Sequence, residues 1–192
     1  EFNPTTDSRT LNAAKASFSK ITWRAGIDYD VNSRTLLYGV VSTGYKAGGF
    51  NDGCELGVVT NGVICTADQA RPLEQLYYKP ETLTSYEIGL KTRFADNKVR
   101  LNLSAFYYDY KNLQLSSVQQ FAGAQVQFTT NAGKARVKGI EAEATIAPDS
   151  RNRVDLSLSW LDAEYTQYAP GALIGNVLIP VDYKGRRLDR SP

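Results

Sequence analysis

The side chains able to do chemistry in this chain are narrow in kind. There is no His and no Met, there are two Cys, and 22 Lys and Arg stand against 20 Asp and Glu. Without His the chain lacks the usual general base and the commonest metal ligand. The nearest thing to an acid pair is Glu141 with Glu143, which alternation places on one face of a strand. A glycosidase holds two carboxylates on either side of a scissile bond; neighbours along one strand read instead as charges on a wall that faces cations. Gly44-Tyr45-Lys46-Ala47-Gly48-Gly49 is rich in glycine but lacks the order of a phosphate loop and opens no helix. It reads as the top of a strand entering a loop. Asn102-Leu103-Ser104 has the form of a glycosylation acceptor, yet it falls inside a strand pattern and is discounted. No catalytic set, metal site or cofactor motif emerges, and the expectation is that the protein is not an enzyme. A net charge of +2 without blocks of like charge leaves no electrostatic footprint for nucleic acid.

What remains is the chemistry of binding. Lys134, Arg136 and Lys138 form a basic row that would attract an anionic ligand, or would pair with acidic groups on neighbouring strands. Pairing is the simpler of the two. Tyr45, Phe50, Tyr77 and Tyr78 stand near the bases of loops and are candidates to touch a ligand, as are Tyr108 and Tyr110. Rings at strand ends are also what anchors a sheet at a membrane interface, and most of these read that way. Cys54 and Cys65 are the only cysteines and share one polar, Gly-rich segment. They are expected to form a local disulfide, which implies an oxidising compartment.

The elements that position these groups are strands. From Leu83 to Lys111, Tyr86, Ile88, Leu90 and Phe94 alternate with polar residues, as do Val99, Leu101, Leu103 and Ala105, with Asp96-Asn97 as the turn between. This second arm is expected to run on through Leu113 and Leu115. Upstream, strands are expected over Lys20–Val31 and Thr35–Tyr45, with Asn32-Ser33 turning between them. A long external loop over about 46–80 follows, rich in Gly and Pro. After a medium loop around Gln119–Gln125, a fifth strand over roughly Gln127–Ile146 and a sixth over Arg153 to about Thr166 flank the turn Pro148–Asn152. In the fifth strand the charges switch phase. Lys134, Arg136 and Lys138 fall on even positions, Glu141 and Glu143 on odd ones. Since Lys or Arg at a bilayer midplane costs about 2–4 kcal/mol, a β-bulge near Gly139 is expected, returning every charge to one face.

Connections alternate between short and longer, and the strands run to about 11–20 residues. Soluble strands average about 5–6 residues, whereas tilted strands cross a bilayer in about 9–11 and project beyond it. No apolar run approaches the roughly 18 residues of a membrane helix. The expected fold is all-β, an antiparallel meander of about six long strands, part of the wall of a transmembrane β-barrel with its short turns on the periplasmic side. The competing expectation is a secreted β-sandwich serving carbohydrate binding or adhesion.

Several phrases, in order, resemble the barrel of TonB-dependent outer-membrane receptors. They are Thr35-Leu36-Leu37-Tyr38-Gly39, Gly44-Tyr45-Lys46-Ala47-Gly48-Gly49-Phe50-Asn51 and Pro80-Glu81-Thr82-Leu83-Thr84-Ser85-Tyr86-Glu87-Ile88-Gly89-Leu90-Lys91. Ala105-Phe106-Tyr107-Tyr108-Asp109-Tyr110-Lys111, Asn131-Ala132-Gly133-Lys134-Ala135, Lys138-Gly139-Ile140-Glu141-Ala142-Glu143 and Arg190-Ser191-Pro192 complete the set. The resemblance implies a barrel of about 22 strands, of which residues 1–192 are a partial domain, with the plug, the TonB box and the C-terminal strands outside it. It implies a Gram-negative outer membrane, contact with its lipid, and energy from the TonB complex acting through the plug. The ligand it implies is scarce, most often an iron–siderophore complex and sometimes haem, cobalamin or a sugar. Lys134, Arg136 and Lys138 would then lie toward the outer part of the lumen, with the plug as a further source of acidic partners.

Overall fold

Alternation along Leu83–Lys111 does fold as a hairpin, and its register sets the frame for its neighbours. The structure is a computed structural model that describes residues 16–51, 59–60, 63–64, 66, 76–121, 124–131, 133–169, 171–174 and 177–188. Its strands are β1 (Arg24–Asn32), β2 (Thr35–Lys46), β3 (Gly49–Phe50), β4 (Val59–Thr60), β5 (Val63–Ile64), β6 (Tyr77–Tyr78) and β7 (Glu81–Phe94). They continue as β8 (Val99–Lys111), β9 (Gln114–Phe121), β10 (Ala124–Asn131), β11 (Lys134–Ile146), β12 (Val154–Gln167), β13 (Gly171–Ile174) and β14 (Val177–Pro180). Two compact units divide the chain, one of 21–45, 82–111 and 133–192, the other of 1–20, 46–81 and 112–132.

The first unit holds a six-stranded sheet in the order β1-β2-β7-β8-β11-β12, in which strands follow one another as in the sequence. Its three tight connections fall at one end. At the first, Asn32 Oδ1 accepts the Arg34 amide at 2.9 Å. At the second, Ala95, Asp96 and Asn97 all take positive φ (52°, 52° and 64°), and the Lys98 amide donates to the Ala95 carbonyl at 3.0 Å. Asp and Asn accept that left-handed backbone readily. At the third, the Asp149 carboxylate accepts the Arg151 and Asn152 amides at 2.8 and 2.9 Å.

The register sorts side chains into rows. On one face the four rows nearest the tight turns read Phe94–Val99–Ile146–Val154, Thr92–Leu101–Ala144–Leu156, Leu90–Leu103–Ala142–Leu158 and Ile88–Ala105–Ile140–Trp160 across β7, β8, β11 and β12. No charge interrupts them. Next comes Tyr86–Tyr107–Lys138–Asp162, then Thr84–Asp109–Arg136–Glu164. From Phe94 to Tyr86 is about 27 Å along the strand at about 3.4 Å per residue. Tilted by about 40°, that is about 21 Å of height, close to the apolar band of a transmembrane barrel.

The expected bulge at Gly139 is absent. Val137, Lys138, Gly139 and Ile140 pair in unbroken register with β8 and β12, and the one irregularity in β11 falls between Lys134 and Ala135, on the β12 side. The switch of phase has another cause: one unkinked face passes from apolar rows to charged rows. Glycine at 139 answers to a ring instead. A Cβ there would sit 2.5 Å from Phe106 Cζ and 2.6 Å from the Trp160 carbonyl oxygen.

Two strand limits also differ from expectation. β8 ends at Lys111, where Asn112 takes φ +54°, so Leu113 and Leu115 do not prolong it. The expected strand from Gln127 is interrupted by Gly133 at φ +76°, where any Cβ would run into the Gln167 carbonyl. In the second unit β9 and β10 pair as a hairpin of their own, from Gln114↔Asn131 to Phe121↔Ala124. Short pairs β3–β6 and β4–β5 occupy part of the stretch expected to be loop.

Candidate functional site

The face opposite the apolar rows carries the polar chemistry. Nearest the tight turns it reads Arg93–Arg100–Thr145–Asp155, then Lys91–Asn102–Glu143–Ser157, then Gly89–Ser104–Glu141–Ser159. A cleft of about 430 Å3 opens there, its lining including Asp30, Arg34, Lys91, Arg93, Arg100 and Asn102. Tyr38 ties this level together. Its hydroxyl donates to Glu87 Oε1 at 2.7 Å, its ring covers Gly89, and Lys91 Nζ stands 5.4 Å from the ring centroid. Thr145 Oγ1 donates to Asp155 Oδ1 at 2.6 Å, and Asn102 Nδ2 to Glu143 Oε2 at 3.4 Å. Three carboxylates are thus held by hydrogen bonds along this face, and Lys91 by the face of a ring. Among the described residues no three His, Cys, Asp or Glu side chains gather to hold a metal.

Farther from the turns the same face becomes aromatic. Phe106 and Tyr108 stack with centroids 4.8 Å apart, and Tyr110 follows on β8 opposite Ala135. On β12 the buried Tyr165 meets Tyr168 at 4.9 Å, and Tyr168 meets Tyr183 at 5.6 Å. Of the rings expected either to touch a ligand or to anchor the sheet, Tyr108 and Tyr110 stand on the polar face. Their parity is that of Glu141, whereas Tyr86, Tyr107 and Trp160 stand on the apolar face.

The basic row lies on the other face of β11. Lys134, Arg136 and Lys138 share their face with Ile140 and Ala142, not with Glu141 and Glu143. Arg136 Nη2 lies 2.7 Å from Glu164 Oε1 and Lys138 Nζ 3.1 Å from Asp162 Oδ2, so acidic partners on the adjacent strand occupy two of the three. Tyr45 continues the parity of Leu37 and Val41 on β2, and its hydroxyl is buried without a hydrogen-bond partner.

Phe50, Tyr77 and Tyr78 belong to the second unit. Phe50 pairs with Tyr77 and Gly49 with Tyr78 across β3–β6; the Tyr77 ring lies 6.0 Å from Phe18 and 5.9 Å from Phe50. Amide side chains hold this unit. The buried Asn51 donates from Nδ2 to the Thr129 carbonyl at 2.7 Å and accepts the Thr129 amide at 2.8 Å. Asn131 Oδ1 accepts the Lys79 amide at 2.7 Å, and Gln114 Nε2 donates to the Ala47 carbonyl at 2.8 Å. Sequence reasoning missed these three. Gln and Asn in a Gly-rich stretch carry no periodic signal, and only the partner backbone reveals their role. Cys54 and Cys65, with their expected disulfide, lie outside the described residues.

Comparisons with known proteins agree with this geometry. The family described as TonB dependent receptor-like, beta-barrel matches residues 2–192. Among solved structures, the siderophore receptor PiuA from Acinetobacter baumannii is 18% identical, with a TM-score of 0.53 over 83% of this chain and 20% of its own. The copper transporter OprC is 20% identical, with a TM-score of 0.50 over 77% of this chain and 21% of its own. The ferric yersiniabactin uptake receptor FyuA from Yersinia pestis is 26% identical, with a TM-score of 0.49 over 76% of this chain and 18% of its own. The chain spans about a fifth of the length of the solved receptors it matches.

Proposed function

The chain belongs to the TonB-dependent receptor-like β-barrel family, and from that premise we propose that it is a segment of receptor wall for TonB-dependent uptake of a ferric siderophore. Barrels of this family lie in the outer membrane of Gram-negative bacteria and serve transport rather than catalysis. The polar face lines the lumen, and the four apolar rows meet lipid. One observation carries the proposal: every row from Phe94 to Ile88 is uncharged on one face while its neighbours on the other face bear Arg93, Lys91 and Glu141. A soluble sandwich has no use for exposed apolar side chains such as Leu158 (73% exposed), Ile27 and Ile88.

Within the lumen the ligand meets Phe106, Tyr108 and Tyr110. Stacked rings suit a large chelate better than a bare ion. Energy comes from TonB acting on a plug outside this stretch.

The test is growth of a receptor-deleted strain that expresses the full-length receptor, starved in turn of iron, copper, cobalamin or a carbon source and fed one complex of that nutrient at a time. A ferric siderophore restores growth, and Phe106→Ala with Tyr108→Ala weakens its binding about tenfold, the loss of about one ring contact. Rescue by copper, a sugar or cobalamin but by no iron complex would overturn the ligand assignment.

A further inference from the structure

The cleft beside the tight turns gathers four cations, Arg34, Lys91, Arg93 and Arg100. Arg93 and Arg100 stand directly opposite each other across β7–β8. The Arg93 amide donates to the Arg34 carbonyl at 2.9 Å, which sets Arg34 beside them just before β2. Lys91 follows on β7 in the next row. The cleft measures about 430 Å3, within the range of roughly 300–1,000 Å3 common to small-molecule sites. Asp30 is the one carboxylate among the described residues of its lining.

Like charges directly opposite in a sheet destabilise it, and Arg93↔Arg100 is such a pair. Among the described residues Arg34, Arg93 and Arg100 have no ion-pair partner, and Lys91 Nζ stands over the Tyr38 ring. Asp155, at the far end of the Arg93–Arg100 row, is held by Arg153 Nε at 2.8 Å and by Thr145 Oγ1 at 2.6 Å. Three guanidiniums around one cleft offer forked donors to an anion with several oxygens.

Farther from the turns the same face carries Glu143, Glu141 and Glu87 in successive rows, with the rings of Phe106, Tyr108 and Tyr110 from that last row onward. A chelate of net negative charge that leaves the rings is repelled by these carboxylates and attracted by the arginines beyond them. Once driven past the carboxylates, it is held at the turn end and kept from returning. A neutral chelate is neither hindered nor held.

We infer that Arg34, Arg93 and Arg100, with Lys91, form a second station for the transported ligand at the periplasmic mouth of the lumen, and that this ligand is a ferric chelate of net negative charge, bearing anionic oxygens such as those of catecholates or carboxylates. The inference rests on the ferric-siderophore reading and the lumen placement proposed above. It adds to them the charge of the cargo and a stop on its way out.

The experiment uses the full-length receptor in a receptor-deleted strain. Radioiron is supplied as a tricatecholate or citrate complex, which are anionic, or as a trihydroxamate, which is neutral. Capture is read as iron bound by cells whose proton gradient is collapsed, and passage as initial uptake by energised cells. In the wild type both are expected for an anionic complex. Arg93→Gln with Arg100→Gln leaves capture at the wild-type level and lowers passage about tenfold, the loss of about one charge-assisted contact. Arg93→Lys with Arg100→Lys keeps most of the passage because the charge stays, and heat-modifiable mobility on gels confirms that each variant is folded. Equal passage by the Gln variant overturns the station. Passage of the trihydroxamate alone in the wild type overturns the charge of the cargo and leaves ferric-siderophore uptake standing. If the Gln variant loses capture and passage together and admits a large antibiotic through the barrel, the arginines hold the plug and the station falls. Wild-type passage of no iron complex brings down the ferric-siderophore reading itself, and the inference with it.

Discussion

Two residues that look alike in the sequence, Gly89 and Gly139, hold their places for the same physical reason. Each leaves room for a ring from the adjacent strand, Tyr38 over Gly89 and Phe106 over Gly139. Sequence alone marks a glycine within a strand as a bulge or a close approach and does not choose between them; the choice depends on which ring stands opposite. Gly139→Val therefore destabilises the barrel by about 1–3 kcal/mol, the cost of overpacking, read as a lower temperature of heat-modifiable unfolding in detergent. Adding Phe106→Ala recovers only part of it, because the Trp160 carbonyl remains 2.6 Å from the new Cβ. Full recovery would show that the ring alone requires the glycine. At the third turn the Asn152 side chain, and after it the Arg151 amide, hold the Asp149 carboxyl below the usual range. A folded value lowered in this way adds stability that is present above the unfolded value and is lost as pH falls through the folded one. Protection of the Arg151 and Asn152 amides from hydrogen exchange is expected to survive acidification through about 3.9, the ordinary Asp value, and to disappear only below it. Loss of protection above that pH contradicts the assignment.

At the scale of the element, hairpins were legible wherever environment and alternation kept step. β7 and β8 have one apolar and one polar face, and both turn residues Asp96 and Asn97 announce themselves. Ala95 does not, yet it too sits at φ +52°. Left-handed backbone costs a non-glycine residue about 1–2 kcal/mol, while glycine costs about 0.4–1 kcal/mol more entropy in the unfolded chain. The first outweighs the second, so Ala95→Gly stabilises the receptor by about 0.5–1 kcal/mol in urea titrations from lipid vesicles. No gain would mean that the turn relaxes in solution to a backbone alanine prefers. β11 defeated sequence reasoning because one strand crosses two solvents. Lys138 and Ile140 share a face, which is a contradiction only if the whole strand has one environment. β9 and β10 were assigned to the ends of their neighbours rather than to a hairpin of their own, because Ser116 and Thr129, with hydroxyls 3.0 Å apart, give no apolar period to set them off.

At the scale of the molecule, the sheet reverses polarity along its height. Near the tight turns one face is apolar and the other charged; beyond the Tyr86–Tyr107 row the first face is charged and the second aromatic. On the membrane placement proposed above, that reversal marks where the bilayer ends, since Lys or Arg at its midplane costs about 2–4 kcal/mol and the first such residue beyond the uncharged rows is Lys138. Spin labels placed singly in the full-length receptor, with Cys54 and Cys65 replaced by serine, test the whole pattern at once. Labels at Leu103→Cys and Leu158→Cys are relaxed more strongly by oxygen, which concentrates in acyl chains, than by a water-soluble nickel chelate. At Glu141→Cys and Glu143→Cys nickel prevails because the lumen is wet. The deciding position is Arg136→Cys, two rows beyond Ile140 on the same face. Nickel should prevail there if the strand leaves the bilayer unkinked. Oxygen prevailing at 136 would carry the band two rows higher and put Glu164, its cross-strand partner, into lipid. Nickel prevailing at 158 would remove the membrane from that face altogether, and with it the reason for four rows without a charge.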